Sequence, residues 1–327
     1  MVDSAKIQQY ASPVQSDMDE FDRKLSDSLR GDSPLISSIA RHLMRTKGKR
    51  IRPVFLFLSS RAGDNFTPRS VDASLAIELI HTATLLHDDV VDESDLRRGL
   101  KTVNAQWTNL ISVLMGDYLF AKAFRIMMET ESVELMKAIS RATERLSVGE
   151  LRQIEETGNY DLSEDEYLSI IADKTASLFS VSCETGPILN GRSGRERQRL
   201  AAFGEKVGTA FQIADDLLDF VGQADVTGKE PGNDVLTGKV TLPLIYSLKR
   251  AGKATGRDIV AHLKNDGGKE SFTLVFDFVQ EYGGIEYAYR RADELSRQAL
   301  DAISSLGRST YRDSLTDMVQ FTTARVS

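Results

Sequence analysis

Residues 75–92 read LAIELIHTATLLHDDVVD. Apolar side chains recur there at three- and four-residue spacing, which predicts a core helix, and the run ends in Asp88, Asp89 and Asp92. Asp88 and Asp92 are one helical turn apart, so their carboxylates share a face. Like charges at that spacing weaken an isolated helix by roughly 0.2–0.5 kcal/mol per pair. Acids at a helix C-terminus also oppose the macrodipole. Such a cluster needs a neutralising partner, unless it is only a solvated helix end.

A second copy of the pattern shifts the balance between these readings. FQIADDLLDF, residues 211–220, places Asp215, Asp216 and Asp219 at the same spacing after another apolar helical stretch. Two aspartate-rich turns leaving core helices are expected to form opposed walls of one cavity. Dense carboxylates suit hard divalent cations, and Mg²⁺ commonly takes one or two carboxylates while phosphates and waters complete its octahedron. The expected ligand is a diphosphate bridged to the protein by several Mg²⁺ ions. Cations to balance it stand in five places: Lys49, Arg50 and Arg52 in GKRIRP, Arg97 and Arg98 in LRRG, Lys174 beside Thr175 in DKTAS, then Lys229 and Lys239. Taken singly, each group would pass for ordinary surface charge.

The same three- and four-residue spacing runs through most of the chain, with no sustained alternation bounded by hairpin turns, so the fold class is all-α. Helices are expected near 14–29, 34–46, 51–61, 68–93, 111–129, 132–156, 163–189, 194–222, 239–251, 256–264, 271–282, 284–305 and 309–324. Ser33-Pro34 and Thr67-Pro68 carry helix-start chemistry, and Ser163 with Glu166 makes a capping-box pattern. The polar stretch between Val221 and Lys239 is the longest expected loop. No linker or repeat divides the chain, which predicts one domain over residues 1–327.

The 327 residues are 41% hydrophobic and 27% charged, with a formal net charge of −7. That balance argues against nucleic-acid binding, which needs a basic face. No apolar run approaches the roughly 20 residues of a membrane span. The first residues resemble neither a secretory signal nor a transit peptide, so the expected location is the cytoplasm. The lone cysteine, Cys183, lies in an apolar segment and reads as a small core hydrophobe.

GKRIRP, HTATLLHDDVVDESDLRRG, GDYLFAKAF, DKTASLF, FQIADDLLDF and GNDVLTGKVTLP follow one another from about residue 48 to 243. Their order resembles that of trans-polyprenyl diphosphate synthases, most closely the long-chain branch typified by octaprenyl diphosphate synthase. The resemblance implies an isoprenoid-synthase-type helical bundle around a deep central cavity, working as a homodimer. It also implies an activity: isopentenyl diphosphate is added head-to-tail to an allylic diphosphate by ionisation, condensation and elimination.

By the same resemblance, Gly48, Lys49, Arg52, His81 and Arg98 would bind isopentenyl diphosphate. Read from the residues alone, His81 would be a packed core histidine. The allylic diphosphate would be held by Asp88, Asp92 and Asp215 through three Mg²⁺ ions, with Arg97, Lys174, Thr175, Gln212, Lys229 and Lys239 in direct contact. Asp89, Asp216 and Asp219 would support them, so the catalytic set is Asp88, Asp89, Asp92, Asp215, Asp216 and Lys174. His87 receives no role.

Chain length should depend on the depth of an apolar tunnel below Asp88. Ala83 and Thr84, one turn earlier, are small where short-chain members tend to carry bulky aromatics, so a growing chain would pass that level. Phe120, Phe124 and Met127 are the expected floor, although large apolar residues at such spacing also serve as plain core. The product would be near forty carbons by family analogy. Two other readings are a terpene cyclase, whose second metal motif differs from Asp215, Asp219 and Gln223, and a regulatory subunit, which would usually have lost one aspartate motif.

Overall fold

The computed structural model describes residues 2–31, 33–45, 48–62, 66–221, 232–265 and 269–324. The described chain is almost wholly helical. It divides into two compact units, Met1–Thr143 with Leu178–Gly204 and Ile303–Met318, and Glu144–Ser177 with Glu205–Ala302 and Val319–Ser327.

In the first unit, α1 (Val2–Ala11) leads through a short 3₁₀ turn into α2 (Gln15–Ser28), α3 (Pro34–Arg45), α4 (Ile51–Arg61) and α5 (Arg69–Val91). Ser33 Oγ accepts from the Leu35 amide at 3.2 Å, so the expected cap of α3 forms. Along α4 every residue from Pro53 to Ser60 is buried. A helix apolar on all sides belongs in a core, and Phe55 there meets Phe179 and Phe203 edge-on at 5.8 and 6.0 Å. α5 is likewise buried over most of its length.

After α5 comes an unexpected hairpin, β1 (Leu96–Arg97) and β2 (Leu100–Lys101), pairing Leu96 with Lys101 and Arg97 with Leu100. Its two-residue turn has Arg98 at φ 53° and Gly99 at φ 75°. Positive φ at both central positions is the geometry that matches strand twist in a tight hairpin. Strands of two residues are too short to show alternation, which is why the sequence reads as loop. α6 (Val103–Gln106), α7 (Asn109–Glu129) and the start of α8 (Val133–Glu155) follow. The Thr108 hydroxyl caps α7 by accepting from the Ile111 amide at 3.2 Å.

The second unit takes the rest of α8, then α9 (Glu164–Ile171), a π-helical turn (Ala172–Ala176) and the first residue of α10 (Ser177–Leu189). It continues with the later part of α11 (Gly194–Val221), then α12 (Asn233–Leu236), α13 (Leu242–Ala251), α14 (Lys253–Asn265), α15 (Lys269–Glu281) and most of α16 (Gly284–Ile303). α17 (Thr310–Ala324) closes the described chain. The Ser163–Glu166 capping box is present in full, with both reciprocal bonds made. The expected single helix over 163–189 is interrupted by the π turn, where the Ser177 amide donates to the Ala172 carbonyl five residues back. Such turns often mark functional sites. Tyr167, Ile170, Ile171, Ile213, Leu217 and Phe220 belong to this unit's core.

Candidate active site

Arg50, at the entry to α4, adopts the left-handed region at φ 50°. That conformation costs a non-glycine residue roughly 1–3 kcal/mol and persists only where surroundings enforce it. Enforcement comes from Glu78 of α5, whose Oε1 accepts from Arg50 Nη1 at 2.5 Å. Two residues on, Arg52 stacks over the Phe179 ring at 4.8 Å, and its Nε is buried with no hydrogen-bond partner. Burial pushes the Arg52 guanidinium down to about 10, partly offset by Glu78, which leaves it charged at neutral pH.

His81 lies one turn beyond Glu78, half-buried. Desolvation, followed by the charges of Arg52, Arg97, Arg98 and Arg50, pushes its imidazole well below the usual range, so the ring is neutral at pH 7. The charge of all four guanidiniums is felt at His81. Gly48 belongs to the same cluster, since a Cβ there would lie 3.0 Å from Arg98 Nη1. Lys49 is half-buried beside it in sequence.

Of the first aspartate motif, Asp88 is half-buried, Asp92 exposed and Asp89 buried. Asp89 turns inward: its Oδ1 accepts from Arg97 Nε and Nη2, both at 2.8 Å. That tether fixes Arg97 on the hairpin. His87 donates from Nε2 to the Val113 carbonyl at 3.2 Å and stacks on Phe120 at 6.0 Å. It fills the space a Cβ on Gly116 would need and lies 3.6 Å from Asp117 Oδ1, so it packs α5 against α7.

The chain-length candidates also fall in the first unit. Ala83, Thr84 and Met127 are buried and Phe120 is half-buried. Phe124, expected at the floor of a tunnel, is instead 47% exposed. It stands on the outer side of α7 with Leu110, Leu114 and Met128, all exposed, while Leu119, Ala123 and Ile126 face inward.

In the second unit, Lys174 and Thr175 sit on the π turn. Lys174 Nζ pairs with both Glu150 oxygens, at 2.8 and 2.9 Å. Gly149 lets α8 approach so closely that a Cβ there would collide with the Lys174 backbone. Arg145 clamps the same turn, bonding Asp173 at 2.7 Å and Glu205 at 2.8 and 3.0 Å. Those carboxylates, Glu205 foremost, raise the Arg145 guanidinium above its usual range.

Asp215 is exposed and Asp219 half-buried, whereas Asp216 is only 6% exposed. Asp216 Oδ1 accepts from Gln212 Nε2 at 2.7 Å and Oδ2 from the Tyr167 hydroxyl at 2.6 Å. Burial pushes the Asp216 carboxyl up to about 8, helped by Asp234 and Asp215 and opposed by those two hydrogen bonds. Thr175 Oγ1 donates to Gln212 Oε1 at 2.7 Å. Asp219 accepts from the Asp234 amide at 3.0 Å and, through its carbonyl, from the Gly232 amide at 2.8 Å, holding the segment that leads to half-buried Lys239. Lys229 lies outside the described residues.

Among the described residues no three or more His, Cys, Asp or Glu side chains form a ready metal cage. Asp88, Asp92 and Asp215 are nonetheless oxygen donors with access to solvent. Each is the kind of ligand that Mg²⁺ takes alongside phosphate and water.

The polyprenyl synthetase family model matches residues 33–275. The chain belongs to the polyprenyl synthetase family. The all-trans-nonaprenyl-diphosphate synthase (geranyl-diphosphate specific) of Rhodobacter capsulatus is 37% identical over 320 residues, 98% of each chain. The octaprenyl diphosphate synthase of Haemophilus influenzae is 36% identical over 321 residues, covering 98% of this chain and 96% of its own. A polyprenyl synthase from Caulobacter crescentus CB15, solved with calcium and isoprenyl diphosphate, superimposes with a TM-score of 0.92 at 32% identity, covering 99% and 98% of the two chains. These polyprenyl synthetases are of the long-chain type, and the likeness favours neither a terpene cyclase nor a regulatory subunit. As in a family of all-helical proteins, no helix among the described residues is long and apolar enough to cross a membrane.

Motif reading missed Glu78, Tyr167, Glu150 and Arg145. Glu78 left one trace, a lone acid inside the apolar run LAIELI. Tyr167 left none, because a tyrosine in a helix reads as core.

Proposed function

We propose that this chain is a long-chain trans-polyprenyl diphosphate synthase that lengthens an allylic diphosphate with isopentenyl diphosphate to a product near octaprenyl diphosphate. The observation that carries this reading is the convergence of Arg50, Arg52, Arg97 and Arg98 on a neutral His81, with Arg52 Nε buried and unpartnered. Arg50 is paired with Glu78 and Arg97 with Asp89; cations gathered in this way beside a neutral donor suit a polyanion.

Isopentenyl diphosphate would bind through Lys49, Arg52, His81 and Arg98, at the backbone approach left by Gly48. His81 contributes a donor without adding charge. The allylic diphosphate would take Arg97, Lys174, Thr175, Gln212, Lys229 and Lys239, with Mg²⁺ held by Asp88, Asp92 and Asp215. Bound Mg²⁺ supplies positive charge against the leaving diphosphate oxygens. The chain's own cations do the same from fixed positions, which favours the charge developing as the allylic carbon–oxygen bond breaks. The isopentenyl double bond, held in register, then attacks the allylic carbon, and orientation supplies the remaining advantage. A proton leaves, with the departing diphosphate as acceptor. Both units would make one synthase domain over residues 1–327, in a cytoplasmic homodimer.

The test is incubation of purified protein with farnesyl diphosphate, isopentenyl diphosphate and Mg²⁺, with chromatographic sizing of the products. A ladder ending near forty carbons is expected. Output confined to fifteen or twenty carbons would refute the long-chain reading, and loss of turnover on chelation is expected to reverse with added Mg²⁺.

A further inference from the structure

Tyr167 of α9 is 3% exposed and lies in an apolar core, where a phenol needs a hydrogen-bond partner for its hydroxyl. It donates to Asp216 Oδ2 at 2.6 Å. The other carboxylate oxygen, Oδ1, accepts from Gln212 at 2.7 Å. The Gln212 amide turns its NH₂ group to that oxygen. The amide oxygen is thereby turned to Thr175, whose hydroxyl donates to it at 2.7 Å. Three hydrogen bonds thus run from a buried phenol to two groups assigned above to the allylic diphosphate.

We propose that Tyr167 is a positioning residue for Gln212 and Thr175: by holding Asp216 it fixes which face of the Gln212 amide, and which rotamer of Thr175, a diphosphate meets. The inference rests on the assignment of Gln212 and Thr175 to that substrate. Asp216 is 6% exposed, so little solvent is at hand to replace the lost donor. Without the phenol it keeps one satisfied oxygen and turns to recover a second donor. The Gln212 amide is then bonded to a carboxyl group that is itself no longer fixed, and the orientation of its remaining N–H and of the Thr175 hydroxyl becomes variable. Misplaced polar contacts weaken substrate binding even when every binding side chain is still present.

Tyr167→Phe tests this, because it deletes the hydroxyl and keeps the ring in its apolar packing. The KM for farnesyl diphosphate is expected to rise roughly three- to tenfold, the scale of one hydrogen bond. The KM for isopentenyl diphosphate, assigned to groups of the first unit, should stay within a factor of two, and the thermal midpoint should fall by only a few degrees. In a Gln212→Ala background the same substitution should add almost nothing, since residues acting through one another are not additive. A lowered thermal midpoint with both KM values intact, equal rises in both, or full additivity with Gln212→Ala overturns the proposal. An unchanged farnesyl diphosphate KM in Gln212→Ala itself removes the underlying assignment, an outcome separable from the first because Tyr167 is wild-type in that variant.

Discussion

Arg50 donates from Nη1 to Oε1 of Glu78 at 2.5 Å, and Glu78 is a carboxylate only 5% exposed within an otherwise apolar stretch of α5. The pair fastens the start of α4 to the helix that carries His81 and Asp88. Because Arg50 is held at φ 50°, Glu78 also maintains the backbone entry that aims Lys49 and Arg52.

Removing one partner of a buried ion pair leaves the other charge uncompensated, which typically costs about 3–5 kcal/mol. Glu78→Ala is therefore expected to lower the urea midpoint by a corresponding amount and to raise the KM for isopentenyl diphosphate. Glu78→Gln keeps an acceptor for Arg50 and should lose less of both. Equal stability of Glu78→Ala and the parent chain would show that the pair is not a tether.

His81 sets a pH dependence. Its folded ring resists protonation because it is desolvated and faces Arg52, Arg97, Arg98 and Arg50, while the unfolded chain takes up a proton near pH 6.5. Below that pH the unfolded state binds more protons. Stability is thus intact above about pH 6.5 and falls toward the depressed folded value, with a slope approaching 1.4 kcal/mol per pH unit. Denaturation of the substrate-free chain from pH 7.5 to 5 should show a shallower loss in His81→Gln; parallel curves would contradict it.

Cys183 is fully buried, and burial pushes its thiol up to about 12. The thiolate that reacts with disulfide reagents is then scarce as well as shielded. Titration of native protein with a chromogenic aromatic disulfide at pH 8 should detect no thiol over an hour, and one per chain after denaturation. Prompt labelling of the native chain would mean that α10 opens readily.

How much of this was legible beforehand depended on the length of each signal. The run 75–92 and the stretch 194–221 carry many turns of apolar repeat, so α5 and α11 emerge within two residues of expectation. The hairpin at 96–101 offers two residues per strand, below the length at which alternation exists. The π turn at 172–176 leaves the helical repeat almost intact and shows only in the hydrogen bond from Ser177 to Ala172. Among site residues, charged motifs were visible because their density has no use in a core. The groups that position them were not, since Glu78 and Tyr167 are single polar residues inside apolar helices and their meaning lies in partners 28 and 49 residues away.

Phe124 shows the opposite failure. Periodicity placed it with Phe120 and Met127, yet at 100° per residue it shares an arc of about 100° with Leu110, Val113, Leu114, Ala121 and Met128, all exposed. A stripe of this length on a helix of 21 residues leaves a large apolar area in water, at about 25 cal/mol per Å². Covering it with the same stripe from a second chain is self-complementary about a two-fold axis, and Asp117 in its middle limits how far such helices could slide. Leu114→Glu combined with Met128→Glu should convert a dimer into a monomer by light scattering at micromolar concentration. Its helical circular dichroism should be unchanged, since neither side chain contributes to the buried core. A parent chain already monomeric at that concentration, or a variant still dimeric, would place the homodimer contact elsewhere or remove it altogether.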